Sequence, residues 1–174
     1  KINNVKIIGN TAVLTGGGIY IDDASHPMFN NIEVRNNLGE WSGGGLFCDS
    51  QSNPKFIDAV FVSNSALYGG GAIQSLNNSN PLFKNVIIKN NSVTNYNSEG
   101  NSEGGGCLFE SGSDPYLYNV SITGNNAVDE GGGINSNNGA SPTLVNVTIT
   151  NNTAGSGSGY YKGQGSPYII NSII

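Results

Sequence analysis

Proline recurs along this chain at an almost constant interval, and this period constrains the fold more than any other feature. The intervals between successive prolines are 27, 27, 34, 27 and 25 residues. The prolines are Pro27, Pro54, Pro81, Pro115, Pro142 and Pro167. A fixed period of a few tens of residues is typical of solenoids, in which each repeat contacts only the repeats above and below it.

Apolar residues keep the same register as the prolines. Two residues after each proline stand Phe29, Phe56, Phe83, Leu117, Leu144 and Ile169. Positions five and seven are apolar as well, as at Ile32 and Val34, and alternation of this kind predicts strands. A third apolar column follows the glycine run of each rung and contains Ile19, Leu46, Ile73, Cys107 and Ile134. We therefore predict an all-β, right-handed, single-stranded parallel β-helix (solenoid) of about six rungs of roughly 27 residues, with three short strands per rung.

Asparagine forms two further columns. The first is predicted to be a ladder inside the solenoid at a corner, because stacked amides about 4.8 Å apart can hydrogen-bond one another. Its members are Asn31, Asp58, Asn85, Asn119, Asn146 and Asn171. The second column marks another corner and comprises Asn10, Asn37, Asn64, Asn91, Asn125 and Asn152.

The shared register predicts that residues 1–174 form one β-helix domain. The longest interval between prolines assigns an expanded loop to residues 92–103. The chain begins at Lys1 and ends on Ile173 and Ile174 without a polar cap, so we expect a piece of a longer protein with flanking domains.

Charge and hydropathy argue against two classes of partner. The chain has seven Lys plus Arg and twelve Asp plus Glu, a net charge of −5, so a nucleic acid partner is not expected. No stretch is long and apolar enough to predict a membrane span. Cys48 and Cys107 fall two rungs apart, beyond the roughly 7 Å Cα limit for a disulfide, and are predicted to be buried free thiols.

One repeat has a recognisable form. Phe61-Val62-Ser63-Asn64, followed by Gly70-Gly71-Ala72-Ile73, resembles the FxxN and GGAI repeat of the chlamydial polymorphic outer-membrane proteins. The looser pattern of an apolar residue, Asn and a glycine run is similar to repeats of the pectate-lyase-like β-helix superfamily. This resemblance implies secretion, surface display and adhesion.

Aromatic and acidic residues occupy outward positions just before the glycine runs. Trp41 and Tyr68 align in adjacent rungs, and Glu103 and Glu130 align in the next two. Aromatic faces beside carboxylates favour sugar binding. The candidate ligand-binding groove comprises Trp41, Tyr68, Tyr96, Glu103, Asp129 and Glu130. Ordinary variable loop residues of a solenoid are the favoured interpretation of these positions, with the groove as the hypothesis to test.

A second acidic column follows the third strand. Asp22 and Asp49 stack there, and like charges about 5 Å apart favour a calcium ion. Calcium takes about six to eight oxygens, however, and Leu76 interrupts the column. A solvated turn is therefore the favoured interpretation, with calcium at Asp22 and Asp49 as the alternative and no other cofactor expected.

The leading functional hypothesis is a secreted or surface-displayed, non-catalytic module that binds a polysaccharide or cell-surface glycan. Nothing in the sequence assembles an evident active site, and solenoids present long lateral faces to ligands. One alternative is a fragment of a polysaccharide lyase or glycoside hydrolase that uses Glu103, Asp129 and Glu130, which requires two carboxylates about 5–10 Å apart. Another alternative is a structural spacer in a repetitive surface protein.

Overall fold

The computed structural model describes residues 1–94 and 103–174. These residues contain strands and no helix. In chain order the strands are β1 (Ile2–Ile8), β2 (Thr11–Ala12), β3 (Ile19–Ile21), β4 (Met28–Arg35), β5 (Leu38–Gly39), β6 (Leu46–Cys48), β7 (Lys55–Val62), β8 (Ser65–Ala66), β9 (Ile73–Ser75), β10 (Leu82–Lys89), β11 (Ser92–Val93), β12 (Cys107–Phe109), β13 (Tyr116–Thr123), β14 (Ile134–Ser136), β15 (Thr143–Val145), β16 (Thr148–Thr150), β17 (Tyr160–Lys162) and β18 (Tyr168–Ile170).

The strands form three parallel sheets that run the length of the solenoid. The first sheet contains the long strands in the order β1-β4-β7-β10-β13, followed by β15 and β18, with β16 also paired to β13. The second sheet has the order β11-β8-β5-β2, and the third has the order β17-β14-β12-β9-β6-β3. Every pairing joins equivalent residues of adjacent rungs, as when Phe29 pairs with Phe56. The predicted all-β parallel solenoid of about six rungs with three sheets is confirmed.

The core is a stack of the predicted inward columns. Phe29 and Phe56 stack with ring centroids 4.7 Å apart, and Phe56 and Phe83 with centroids 5.4 Å apart. The third-sheet column of Ile19, Leu46, Ile73, Cys107 and Ile134 is buried, with at most 8% of any side chain exposed. Stacked aromatic pairs contribute about 0.5–1.5 kcal/mol beyond the area that they bury. The same residue type at the same position of each rung therefore stabilises the interface between rungs.

The first asparagine column points outward, so the prediction that it lies inside the solenoid at a corner is wrong. These residues sit in or beside the first-sheet strands, mostly exposed. Each has a positive φ, 46° to 55°: Asn31, Asp58, Asn85, Asn119, Asn146 and Asn171. Asn tolerates this left-handed conformation better than most residues. The amides still contact one another on the surface, as Asn119 Nδ2 donates to Asn85 Oδ1 over 2.9 Å.

The spacing of the inward side chains explains this placement. Phe29 and Ile32 both point into the core, although they are three residues apart and strict alternation would put them on opposite faces. One left-handed residue between them, Asn31, restores the orientation. The ladder residue is thus the kink that allows an eight-residue strand to keep both apolar groups buried.

The second asparagine column forms the internal ladder. Asn37, Asn64, Asn91 and Asn125 are each 1% exposed. Asn64 Oδ1 accepts from the backbone N and Nδ2 of Asn37 over 3.1 and 3.0 Å. Asn64 Nδ2 donates to Val34 O over 2.9 Å and to Asn91 Oδ1 over 3.0 Å. Both polar atoms of each buried amide are satisfied, so the column closes the corner without an unpaired buried group.

A serine column that the sequence pattern did not reveal lies before the prolines. Ser52, Ser79 and Ser113 are fully buried. Their hydroxyls accept backbone N–H groups of the preceding rung, as Ser79 Oγ does from Ser52 N over 3.1 Å. Cys48 and Cys107 are buried and free, as predicted. Burial raises the pKa of Cys48 to about 12 and raises the pKa of Cys107 further, so neither is a thiolate at neutral pH.

Candidate functional site

A groove runs along the outer face of the third sheet. Its floor is formed by the outward residues of that sheet, among them Phe47, Gln74, Leu108 and Asn135. Beside the floor runs a column in which Ser42 bridges to Gly69, Gly69 to Glu103 and Glu103 to Glu130. We call this surface the lateral groove and define it by Trp41, Ser42, Tyr68, Gly69, Gln74, Glu103, Leu108, Glu110, Glu130 and Asn135.

Glycine brings the two columns of the lateral groove together. Gly70 lies between them with φ +59°, and a Cβ added there would stand 2.8 Å from Gln74 Cβ. A side chain at this position would therefore be strained in the backbone and would also collide with the floor. The glycine runs are what allow outward side chains of neighbouring segments to converge on one shallow groove.

The lower end of the groove is aromatic. Trp41 and Tyr68 lie in adjacent rungs, with Tyr68 N donating to Trp41 O over 3.0 Å. Their ring centroids are 5.0 Å apart and the rings are tilted by 49°. Trp41 is 58% exposed, although it is the only tryptophan of the chain. The predicted alignment of these two rings is observed, and it leaves a large apolar surface open to a ligand.

The upper end of the groove is acidic. Asn135 Nδ2 lies 3.3 Å from Glu103 Oε2 and 3.5 Å from Glu130 Oε2. The two carboxylate oxygens are therefore at most roughly 6.8 Å apart, the sum of those distances. The predicted alignment of Glu103 with Glu130 is thus observed, and the half-buried Asp129 immediately precedes Glu130. Tyr96, the remaining predicted member, lies outside the described residues.

The pKa of Glu103 is raised above its ordinary value. Its side chain is half-buried between the third sheet and the adjacent acidic residues. Burial is the main cause, and the charges of Glu110, Glu130 and Asp129 add to it, raising the pKa of Glu103 to about 7. This carboxyl group is therefore able to hold or release a proton near neutral pH.

A small depression joins the two ends. It has a volume of about 160 Å³ and is lined by Ser42, Tyr68, Gly69, Gln74, Glu103, Leu108 and Glu110. Larger concavities exist, including one of about 420 Å³ beside Asn31 on the first sheet, but there the lining amide Asn31 already hydrogen-bonds Asn4. The depression instead contains Gln74 Oε1, a buried acceptor to which no described residue donates.

Several residues of the lateral groove were missed by sequence reasoning. These residues are Ser42, Gln74, Leu108 and Asn135. They occupy outward positions next to the glycine runs, where the sequence repeats regularly only at its inward apolar positions. Two polar residues, Gln74 and Asn135, stand at an outward position that is aromatic or apolar at Tyr20, Phe47 and Leu108. That change of residue type within one column is the signal that would have found them.

The acidic column at Asp22 and Asp49 behaves as a set of turn residues. Asp22 Oδ2 accepts from the Tyr20 hydroxyl over 3.0 Å, and Asp49 Oδ1 accepts from Asn77 Nδ2 over 2.7 Å. Hydrogen bonds from Ser50, Asp23 and Tyr20 lower the pKa of Asp22. Within residues 1–94 and 103–174, no three His, Cys, Asp or Glu side chains are grouped as metal ligands.

These observations define a parallel β-helix with a groove along one lateral face. The chain matches the family model described as "Right handed beta helix region" over residues 1–119, about two thirds of its length, and it belongs to this family. No curated protein and no solved structure gives a significant match. Among the described residues there is no helix long and apolar enough to cross a membrane.

Proposed function

We propose that the chain is a non-catalytic, extracellular or surface-displayed module that binds a glycan in the lateral groove. The exposed Trp41 ring, paired with Tyr68 next to the polar depression, is the observation that carries this proposal. A sugar ring presents an apolar face that stacks on an aromatic side chain, while its hydroxyls reach carboxylates and amides. Surface display also fits the resemblance to the chlamydial repeats.

Several features of the groove support glycan binding over a purely structural role. A large exposed aromatic residue adds little to stability, because it leaves most of its apolar surface in water. Gln74 and Asn135 each keep a buried oxygen without a donor among the described residues, and an unsatisfied buried acceptor costs stability. The exposed aromatic ring and the unsatisfied acceptors lie in the same groove. A bound ligand would cover the ring and supply donors to the acceptors.

Glycan binding is tested with an array of polysaccharides and oligosaccharides. The wild-type chain is expected to bind, and Trp41→Ala is expected to weaken binding about fivefold or more, since stacking of a ring on one aromatic side chain contributes on the order of 1–3 kcal/mol. The matched control is Tyr168→Ala, because Tyr168 is 62% exposed but lies on the first sheet. Equal loss in both variants, or no loss in either, would contradict the groove as the binding surface.

The acidity of Glu103 favours one alternative function, a glycoside hydrolase or polysaccharide lyase. A carboxyl group with a pKa of about 7 is suited to donate a proton to a leaving group. Glu130 Oε2 lies no more than roughly 6.8 Å from Glu103 Oε2, and glycosidases place their two carboxyl groups about 5–10 Å apart. In this hypothesis Asp129 adds charge beside Glu130.

Catalysis is tested with a reducing-sugar assay on any polysaccharide that the array identifies. If the chain is an enzyme, Glu130→Gln abolishes turnover while the glycan still binds. A glycan that binds the wild-type chain but is not cleaved by it supports the non-catalytic module. Absence of both binding and cleavage would leave the structural spacer as the remaining hypothesis.

A further inference from the structure

The lateral groove contains two hydrogen-bond acceptors without matching donors among the described residues, and one of them, on Gln74, lines the depression. Gln74 is 7% exposed; its Nε2 donates to Glu110 Oε2 over 2.9 Å, but its Oε1 has no partner among the described residues. Asn135 is fully buried, and no described residue donates to its Oδ1. An unsatisfied buried acceptor costs about 1–3 kcal/mol. Two of them in one groove call for donors that the described residues do not supply.

The charges around these acceptors have no basic partner on the described chain. The ion pairs among the described residues join Lys6 and Arg35 to Glu33, on the first sheet. Residues 95–102 contain no Lys, Arg or His in their sequence. Glu103, Glu110 and Glu130 therefore form an acidic rim around neutral acceptors. Such a rim favours a ligand group that is both positively charged and rich in donors.

The size of the depression fits a substituent and not a whole ligand. Its volume of about 160 Å³ is below the roughly 300–1,000 Å³ of pockets that enclose small molecules. Two of its acceptors lie near one point: from the position that a Cβ on Gly69 would occupy, Ser42 Oγ is 3.6 Å away and Gln74 Oε1 is 3.7 Å away, with Leu108 Cδ2 nearest at 2.7 Å. A primary ammonium carries three donors, and Ser42 Oγ, Gln74 Oε1 and Glu103 are three acceptors.

A metal ion suits this arrangement less well. Calcium takes about six to eight oxygens, and the described residues contain no group of three carboxylate, imidazole or thiol ligands. Leu108 lines the depression between the acidic residues and offers no oxygen. Apolar contact beside a charged acceptor is suited to an organic cation, whose carbon skeleton packs on Leu108 and Tyr68.

We infer that the depression binds the ammonium group of an amino sugar, so that the preferred glycan contains hexosamine units with free amino groups. This inference rests on the proposed glycan-binding function and specifies its ligand class. The sugar ring lies on Trp41 and Tyr68, and the ammonium enters between Ser42, Gln74 and Glu103. The same acidic rim repels glycans that carry uronate or sulfate groups.

The inference is tested by calorimetric titration at pH 7 and low salt with three tetrasaccharides. The probes are a β-linked glucosamine tetramer, its N-acetylated counterpart and a galacturonate tetramer. The glucosamine tetramer is expected to bind at least about tenfold more tightly than the acetylated one, and the galacturonate tetramer is expected not to bind. Glu103→Gln should abolish this preference, whereas Glu33→Gln on the first sheet should preserve it.

A second variant changes the shape of the depression and keeps every charge. Gly69→Ala places a methyl group among Ser42, Gln74 and Leu108, at a backbone conformation that does not require glycine. It should remove the preference for the free amine and retain weak binding through Trp41. Gly159→Ala, whose added Cβ would meet no atom closer than 3.3 Å, is the control.

The outcomes separate this inference from the function on which it rests. Equal binding of the free and acetylated tetramers would overturn the ammonium site and leave the glycan-binding function standing. Binding of none of the three, together with a silent glycan array, would overturn both. Binding that appears only after calcium chloride is added, or an oligolysine peptide that binds as tightly as the glucosamine tetramer, would also overturn the amino-sugar assignment.

Discussion

Among the described residues, an acidic residue is paired with basic residues on the first sheet, but no acidic residue is paired in this way in the lateral groove. On the first sheet, Glu33 lies between Lys6 and Arg35, with nitrogen to oxygen distances of 3.2 Å in both pairs. In the lateral groove, Glu103, Glu110 and Glu130 lie together, and no described Lys or Arg side chain pairs with them. Paired surface charges are typical of a solvated face, whereas clustered like charges destabilise a fold. The difference supports the proposal that the groove binds a ligand.

The largest expected effect concerns Glu103. Its folded pKa of about 7 exceeds the ordinary value of 4.5, so the folded state binds the proton more tightly than the unfolded state does. The free energy of unfolding should therefore fall as the pH rises from about 5 to 7 and stay lower above that range. Glu103→Gln should stabilise the fold at pH 8 by on the order of 1 kcal/mol, allowing for solvent screening, and have little effect at pH 5.

Urea unfolding of the wild-type chain and of Glu103→Gln at these two pH values measures the difference in the free energy of unfolding. A stabilisation that is equal at pH 5 and pH 8 would mean that the charge of Glu103 is not its cause. A loss of stability at pH 8 would mean that the carboxylate is already compensated within the chain.

The paired face should respond in the opposite direction and by less. Glu33→Gln removes the partner of both Lys6 and Arg35, and exposed ion pairs contribute about 0–1 kcal/mol each. We expect a destabilisation of about 0.5 kcal/mol that decreases as salt is added, because salt screens surface charges. Thermal melting at low and high salt checks this, and a gain in stability would remove the contrast between the two faces.

The smallest effect is expected at Asp58, in the exposed ladder of the first sheet. Asp58 accepts from Asn85 Nδ2 over 2.9 Å, but a carboxylate has no amide donor for the adjacent Asn31. Asp58→Asn supplies that donor and tolerates the φ of 53°. The variant should be neutral or more stable by about 0.5 kcal/mol. A clear fall in melting temperature would indicate that Asp58 makes a contact that an amide cannot replace.

The fold could be predicted from the sequence because a solenoid repeats each structural position once per rung. A column that is apolar in six rungs, such as the one that contains Phe56, is expected in the interior, and its members are buried except Ile169 of the last rung, which is 40% exposed. The direction of the asparagine columns could not be predicted in the same way. Both columns contain the same residue type at the same period, yet Asn64 is 1% exposed and Asn85 is exposed.

Backbone conformation separates the two columns, and side-chain chemistry alone does not reveal it. Asn85 adopts a left-handed φ of 55° that kinks the strand, whereas the amide of Asn64 donates to the backbone oxygen of Val34 at the corner. Only part of the groove could be predicted, because its other members depend on the backbone conformation. The sequence displays the alignment of Trp41 with Tyr68 and of Glu103 with Glu130 one position later, but the approach of Gln74 and Asn135 depends on how the glycine runs bend the chain.

The central claim, that the lateral groove is a glycan-binding surface, is tested most directly through Trp41. It is the only tryptophan, so its fluorescence reports this groove and no other part of the chain. Titration with a glycan that binds the wild-type chain should change the Trp41 emission in a saturable way, with the same midpoint as calorimetry. Binding measured by calorimetry without any change in Trp41 emission would contradict the claim, because the glycan would then occupy another face.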